Sequence, residues 1–222
     1  MNLQRKSVVI PLVVLAIFLI GSNIFFNTLI TKNTLDTAQP WNLLLVNADN
    51  PINYVVEMDL ATLNSGEQVD ERIVPYLQDM INAAREEGIY PLVTSGYRTT
   101  DYQRKLMEEK IESYVLLGYS RKQASELAKE WVAVPGTSEH ELGLAVDINA
   151  DKSLSTNEEV YRWLKHNSYR YGFILRYPEN KQAITGISYE PWHYRYVGVE
   201  AATKMYELNL TLEEYLNNKN LY

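Results

Sequence analysis

The chain has 222 residues and no cysteine, so disulfides, thiolate metal knots and thiol nucleophiles are all excluded. Its 21 Lys and Arg against 28 Asp and Glu leave a formal charge of -7. Without a dense basic run, that balance argues against nucleic acid as a partner. Any metal must be held by His, Asp or Glu, and only three His are present. Seventeen Tyr against four Phe suggest many half-wet aromatic positions and a polar groove.

In chain order, Arg5 and Lys6 precede VVIPLVVLAIFLIGSNIFFNTLI, an uncharged stretch at residues 8–30. Its length suits one membrane helix, and the preceding positive charges put the N-terminus in the cytoplasm and the remainder outside the cell. It is longer than the apolar region of a secretory signal, and no A-x-A cleavage site follows. Residues 1–30 are therefore expected to be a short cytoplasmic stub and membrane anchor. Residues 31–40 would be a linker ending in Pro40, and 41–222 one catalytic domain.

Within that domain, WNLLLVNADNP is a short apolar run closed by a turn signal. VDERIVPYLQDMINAAREEG predicts a helix capped by Asp70 and ended by Gly88, with Ile73, Leu77, Ile81 and Ala84 on one face. YPLVTSG predicts a strand. Thr100 and Gln103 have capping-box spacing at the head of the next helix, and Ser120 with Gln123 repeats it before a helix through Ala124 and Ala128 to Trp131, ended by Pro135-Gly136. A third box, Thr156 with Glu159, opens a helix that stops at Gly172. FILRY and EPWHYRYVG predict strands, and VEAATKMYEL and TLEEYLNN short helices. Distant strands separated by helices of uneven length predict an α+β fold, a mixed or antiparallel central sheet flanked by helices.

The chemistry concentrates in two stretches. In PGTSEHELGLAVD, a strand over 142–148 would turn Leu144, Val146 and Ile148 to the core and Gly143, Ala145 and Asp147 to the other face, with His140 just before it. The small residues would keep a cleft open beside Asp147, and Gly143 would permit the backbone bend that brings His140 alongside it. Taken alone, the stretch favours a tight turn before a buried strand over half of a metal site. In SYEPWHYRYVG, Glu190 precedes His193 by three residues, and His193 and Arg195 share a strand face. Two His and one Asp make a three-ligand set of the type a hydrolytic zinc site uses, with Glu190 as the natural general base.

SEHELGLAVD matches the pattern S-x-H-x-x-G-x-A-x-D and EPWH matches E-x-W-H. With LLLVNADNP, TSGYRTTDYQ, VPGTSEH and YGFILRYP in the same order, residues 41–199 resemble the VanY-type D-alanyl-D-alanine carboxypeptidases of zinc peptidase family M15, subfamily B. The resemblance implies a hedgehog/DD-peptidase-like fold and one zinc ion on His140, Asp147 and His193, with Glu190 as catalytic acid/base. It further implies that Arg98 holds the substrate's carbonyl oxygen or carboxylate, and that Gln103 and Ser138 lie near the bound peptide. Trp192 is expected as a pocket wall. The implied substrate is a peptidoglycan stem peptide ending in D-Ala, met on the wall side of the membrane. The alternatives are an L,D-carboxypeptidase acting on tetrapeptide stems and a non-catalytic zinc-containing wall-binding domain. The lysostaphin type lacks support because no H-x-H pair occurs. His166, in a helical stretch, is read as a surface or packing residue.

Overall fold

A computed structural model describes residues 40–218. The expected membrane span lies outside these residues, and among the described ones no helix is long and apolar enough to cross a bilayer. The described chain is a mixed α/β fold whose centre is a four-stranded sheet of β3 (Pro91–Ser95), β4 (Ala145–Ala150), β6 (His193–Tyr196) and β5 (Phe173–Leu175), in the order β3-β4-β6-β5. Every pairing is antiparallel, so the mixed alternative is removed. A hairpin of β1 (Leu60–Thr62) and β2 (Gln68–Asp70) forms a separate two-stranded sheet.

Helix α1 (Val74–Glu86) follows a 3-10 turn, Glu71–Ile73, and the expected cap Asp70 serves that turn rather than the helix itself, accepting from Arg72 N at 2.9 Å. Leu77, Met80 and Ala84 of α1 and Val160 and Leu164 of α4 (Asn157–Asn167) pack with Val93, Val146, Ile148, Phe173 and Tyr194 from the sheet. Each large side chain removed from water here contributes about 1.5–3 kcal/mol. The boxes Ser120–Gln123 and Thr156–Glu159 both form, opening α3 (Arg121–Ala128) and α4. After α5 (Gln182–Thr185), helices α6 (Val199–Leu208) and α7 (Leu212–Asn217) build a second apolar cluster from Ala202, Met205 and Leu212 on Ile174 and Val197.

Helix α2 (Thr100–Leu116) starts one residue earlier than its box implied. Thr99 caps it by accepting from Tyr102 N at 3.1 Å, because the Thr100 hydroxyl donates to the Glu141 carboxylate. Gln103 therefore takes no part in capping. Met107 and Ile111 of α2 meet Ala124 and Ala128 of α3 in a third cluster. The latter helix ends at Ala128, well before Pro135-Gly136, with one further turn to Trp131. The run at 41–51 is not a strand but a 3-10 turn, Trp41–Leu43, and a bridge between Asn47 and Asn50.

Candidate metal centre

The three donors come from two neighbouring strands and the turn before one of them. His140 sits on a 3-10 turn, Glu139–Leu142, which ends at Gly143 in the left-handed region (φ 67°). A Cβ at Gly143 would also stand 2.9 Å from Asp70 N, so glycine is required by conformation and by space. Strand β4 then begins at Ala145, and Leu144, Val146 and Ile148 are buried as expected. The reading of Gly143 and Ala145 as spacers in a cleft is corrected: Gly143 abuts Asp70 and Met58, and Ala145 is fully covered opposite Arg195.

Asp147 pairs directly with His193 across β4 and β6, which brings their side chains together. Beside it the β3–β4 register slips between Val93 and Ser95, and Ser95 comes opposite Asp147. Such a bulge re-aims side chains at a strand end. Arg98 follows three residues later, its Nε donating to Ser95 Oγ at 2.9 Å and its Nη2 to Asp147 Oδ2.

Asp147 Oδ1 lies 3.4 Å from His140 Nε2 and 3.3 Å from His193 Nδ1. One ligand atom from each of the three residues falls within 4.8 Å of the others. A tetrahedral ion with bonds of about 2.0–2.1 Å would set its ligand atoms roughly 3.3–3.4 Å apart, so the spacing fits. His140 Nδ1 donates to the Gly96 carbonyl at 2.6 Å, which fixes the tautomer and leaves Nε2 as a lone-pair donor. Gly96 is itself obligatory, since a Cβ there would lie 2.1 Å from Gln68 O. Among the described residues His140 Nε2 and Asp147 Oδ1 are buried without a hydrogen-bond partner. Orphaned polar atoms of this kind are costly unless something meets them, and a divalent cation meets the converging donors.

The two imidazoles differ. Burial lowers the His140 pKa, outweighing the opposing pull of Asp147. Burial also works against charge on His193, but the neighbouring carboxylates of Asp147 and Glu190 prevail and raise it to about 9. Desolvation pushes Asp147 up, yet the two His draw it well below the usual range. Glu190 Oε2 stands 3.4 Å from His193 Nδ1, and the Glu190 carbonyl accepts from His193 N at 3.1 Å, so the link through Pro191 holds the carboxylate beside the centre.

The centre opens into a cleft of about 430 Å³ lined by Arg98, Gln103, Ser138, Glu190 and Trp192 among others. All the residues anticipated from sequence thus reach one place. Gln103 donates from Nε2 to Ala133 O at 2.9 Å, leaving Oε1 without a partner. Ser138 is buried at the head of the 3-10 turn and makes no side-chain cap. His166 is exposed on α4 and bonds Arg162 O. Two features went unanticipated. Tyr177 lines the cleft with its ring 4.8 Å from that of His193. Arg195, expected on the His193 face, is fully buried beneath it against Glu139. An Arg inside each of the apolar runs FILRY and HYRYV was the available signal.

A His/Asp/His donor set with an adjacent carboxylate, at the base of a cleft on an antiparallel sheet, is the architecture of a mononuclear metallohydrolase centre. Residues 66–199 match the family model VanY, D-alanyl-D-alanine carboxypeptidase, and the chain belongs to that family. It is 58% identical over 193 residues to a D-alanyl-D-alanine carboxypeptidase of Enterococcus faecalis, an alignment covering 87% of this chain and 72% of that protein. Among solved structures, VanYB in complex with D-alanine-D-alanine superposes with a TM-score of 0.80 at 60% identity, covering 81% of this chain and 99% of that one. A point mutant of the vancomycin-resistance D,D-pentapeptidase VanY from a VanB-type cassette, in complex with Zn(II), gives 0.79 at 61%, with 80% and 100% covered.

Proposed function

We propose that the protein is a zinc-dependent D-alanyl-D-alanine carboxypeptidase that removes the terminal D-Ala from peptidoglycan stem peptides. The observation that carries this reading is the convergence of His140, Asp147 and His193 beside Glu190 in one cleft. Support comes from the family and from the relatives that bind Zn(II) and D-alanine-D-alanine. In this reading His140, Asp147 and His193 hold the ion. Bound there, zinc supplies a Lewis acid and makes an attacking water acidic near neutral pH.

The chain's own groups do the rest. Glu190 takes the proton of the attacking water and returns it to the leaving amine. Arg98, braced by Ser95 and Asp147, presents its guanidinium to the negative oxygen that develops at the scissile carbonyl or to the terminal carboxylate. Gln103 Oε1, already oriented by the Ala133 carbonyl, accepts a peptide N–H, Ser138 offers its hydroxyl, and Trp192 walls the site.

Residues 8–30 are the anchor in this proposal and 31–40 the linker, placing residues 41–222 on the wall side of the membrane. The charge-free span and the preceding Arg5 and Lys6 support that orientation. The test is a product mass spectrum from defined pentapeptide and tetrapeptide stems, with and without a chelator. Loss of one D-Ala from the pentapeptide, abolished by chelation and restored by zinc, is the expected result. Shortening of tetrapeptides alone would make the enzyme an L,D-carboxypeptidase.

A further inference from the structure

Beneath the metal centre, away from the cleft, lie four buried charges that the proposed chemistry does not use. Glu139 Oε1 accepts from Arg176 Nε at 2.8 Å and lies 2.9 Å from Arg195 Nη1. Arg176 turns its two terminal nitrogens on Glu213 of α7, at 2.9 and 2.6 Å. Asn47 Nδ2 donates to Glu213 at 3.1 Å, and Arg195 donates to the carbonyls of Asn42 and Leu44 at 3.1 and 2.9 Å. The side chains of Glu139, Arg176 and Arg195 are fully covered. Two positive and two negative charges balance.

Stability does not account for such a group, because replacing buried ion pairs by apolar residues of similar volume is often neutral or stabilising. Its placement does. Glu139 immediately precedes His140 on one 3-10 turn, and Arg195 lies two residues past His193 on the same strand. Arg176 N donates to the His193 carbonyl at 3.1 Å. The elements carrying both imidazoles are thus gripped through a single carboxylate oxygen.

We propose that Glu139, Arg176, Arg195 and Glu213 form a positioning clamp, which holds His140 and His193 at metal-binding separation and makes that separation depend on α7 and on residues 42–47. This rests on the reading of His140, Asp147 and His193 as the metal site. Neither Arg176 nor Glu213 lines the cleft, so substituting them touches neither peptide nor ion. Groups that orient metal ligands from behind typically set affinity by about 10–100-fold.

The experiment measures zinc affinity by chelator competition, and kcat and KM on a D-Ala-terminated pentapeptide, in the full chain. Glu213→Gln leaves Arg176 half paired, and the double variant Arg176→Met/Glu213→Leu removes that pair without stranding a charge. Both are expected to stay folded by circular dichroism, to bind zinc at least about tenfold more weakly and to lose kcat with KM within about twofold. Glu214→Gln, a control next to Glu213 on α7, loses the pairing with Lys181 but keeps an acceptor for Thr211 N in the capping box of that helix, and should match wild type. Folded variants that equal wild type in zinc affinity and kcat would overturn the clamp and leave the metal site standing. A double variant that no longer folds would make the network a stability element and overturn it as well. Wild-type protein that takes up no zinc would overturn the site and the clamp together.

Discussion

At the scale of the residue, Glu190 and Arg98 separate two kinds of contribution. Glu190 adjoins His193 but is not needed to complete the three-donor set. Glu190→Ala should therefore keep zinc while kcat falls by about 10²–10⁴-fold, the usual worth of a positioned acid/base. Metal analysis beside a D-Ala release assay checks it, and normal turnover would remove Glu190 from the mechanism. Arg98 is tied into the donor set through Asp147 Oδ2. A lysine keeps the charge but loses the planar fork that bonds Ser95 and Asp147 at once, so Arg98→Lys should lower kcat/KM by about 100-fold. A loss under threefold would make Arg98 dispensable as an anchor. Glu190 was legible from its spacing to His193, whereas Arg98 was reached only through the family resemblance of TSGYRTTDYQ. The roles of Glu139, Arg176 and Arg195 were not legible. A lone Arg within an apolar run shows that a partner exists, but not which of 28 carboxylates, distant in sequence, supplies it.

At the scale of the element, period and capping served well where the helix was amphipathic and its first turn free. The capping pairs at Ser120 and Thr156 form as spaced, whereas Thr100 was drawn away by Glu141, a tertiary partner that local spacing cannot reveal. The β1–β2 hairpin was missed because three-residue strands carry too little alternation to register. The glycine before β4 does one of the two things expected of it: it supplies the bend after His140, but it is no spacer in the cleft. Its part is to end the 3-10 turn and let β2 approach, which carries a quantitative expectation. Gly118, at the α2–α3 turn, also has positive φ (94°) but meets nothing within 4 Å of an added Cβ, while Gly143 would meet Asp70 N. Gly118→Ala should cost only the left-handed penalty of about 1–2 kcal/mol. Gly143→Ala should add overpacking of about 1–3 kcal/mol and displace His140, so that zinc affinity falls with stability. Denaturant midpoints and zinc titrations of the two variants make the comparison, and equal losses would show that Gly143 does nothing beyond its φ.

At the scale of the whole molecule, metal, proton and fold are linked through His193. Without zinc its pKa is raised from 6.5 to about 9 by Asp147 and Glu190 against the pull of burial. A raised pKa contributes stability that is fully present below about 6.5 and is lost as pH climbs through about 9. Asp147 runs the other way: held well below 3.8, it contributes stability above that value and loses it as pH falls. The zinc-free protein should thus lose stability from near neutrality toward alkaline pH. Coordination requires a neutral imidazole, and His140 is already held in that form by burial. Zinc uptake at neutral pH should then release about one proton, from His193, and apparent affinity should rise about tenfold per pH unit until pH nears 9. Stabilisation by a ligand grows with its affinity, so the gap between melting temperatures with zinc and with chelator should widen steadily from about pH 6 to about 9. Calorimetry in buffers of different ionisation enthalpy counts the proton directly. A gap that stays constant across that range, with no proton released, would mean that His193 does not carry the proton that zinc must displace.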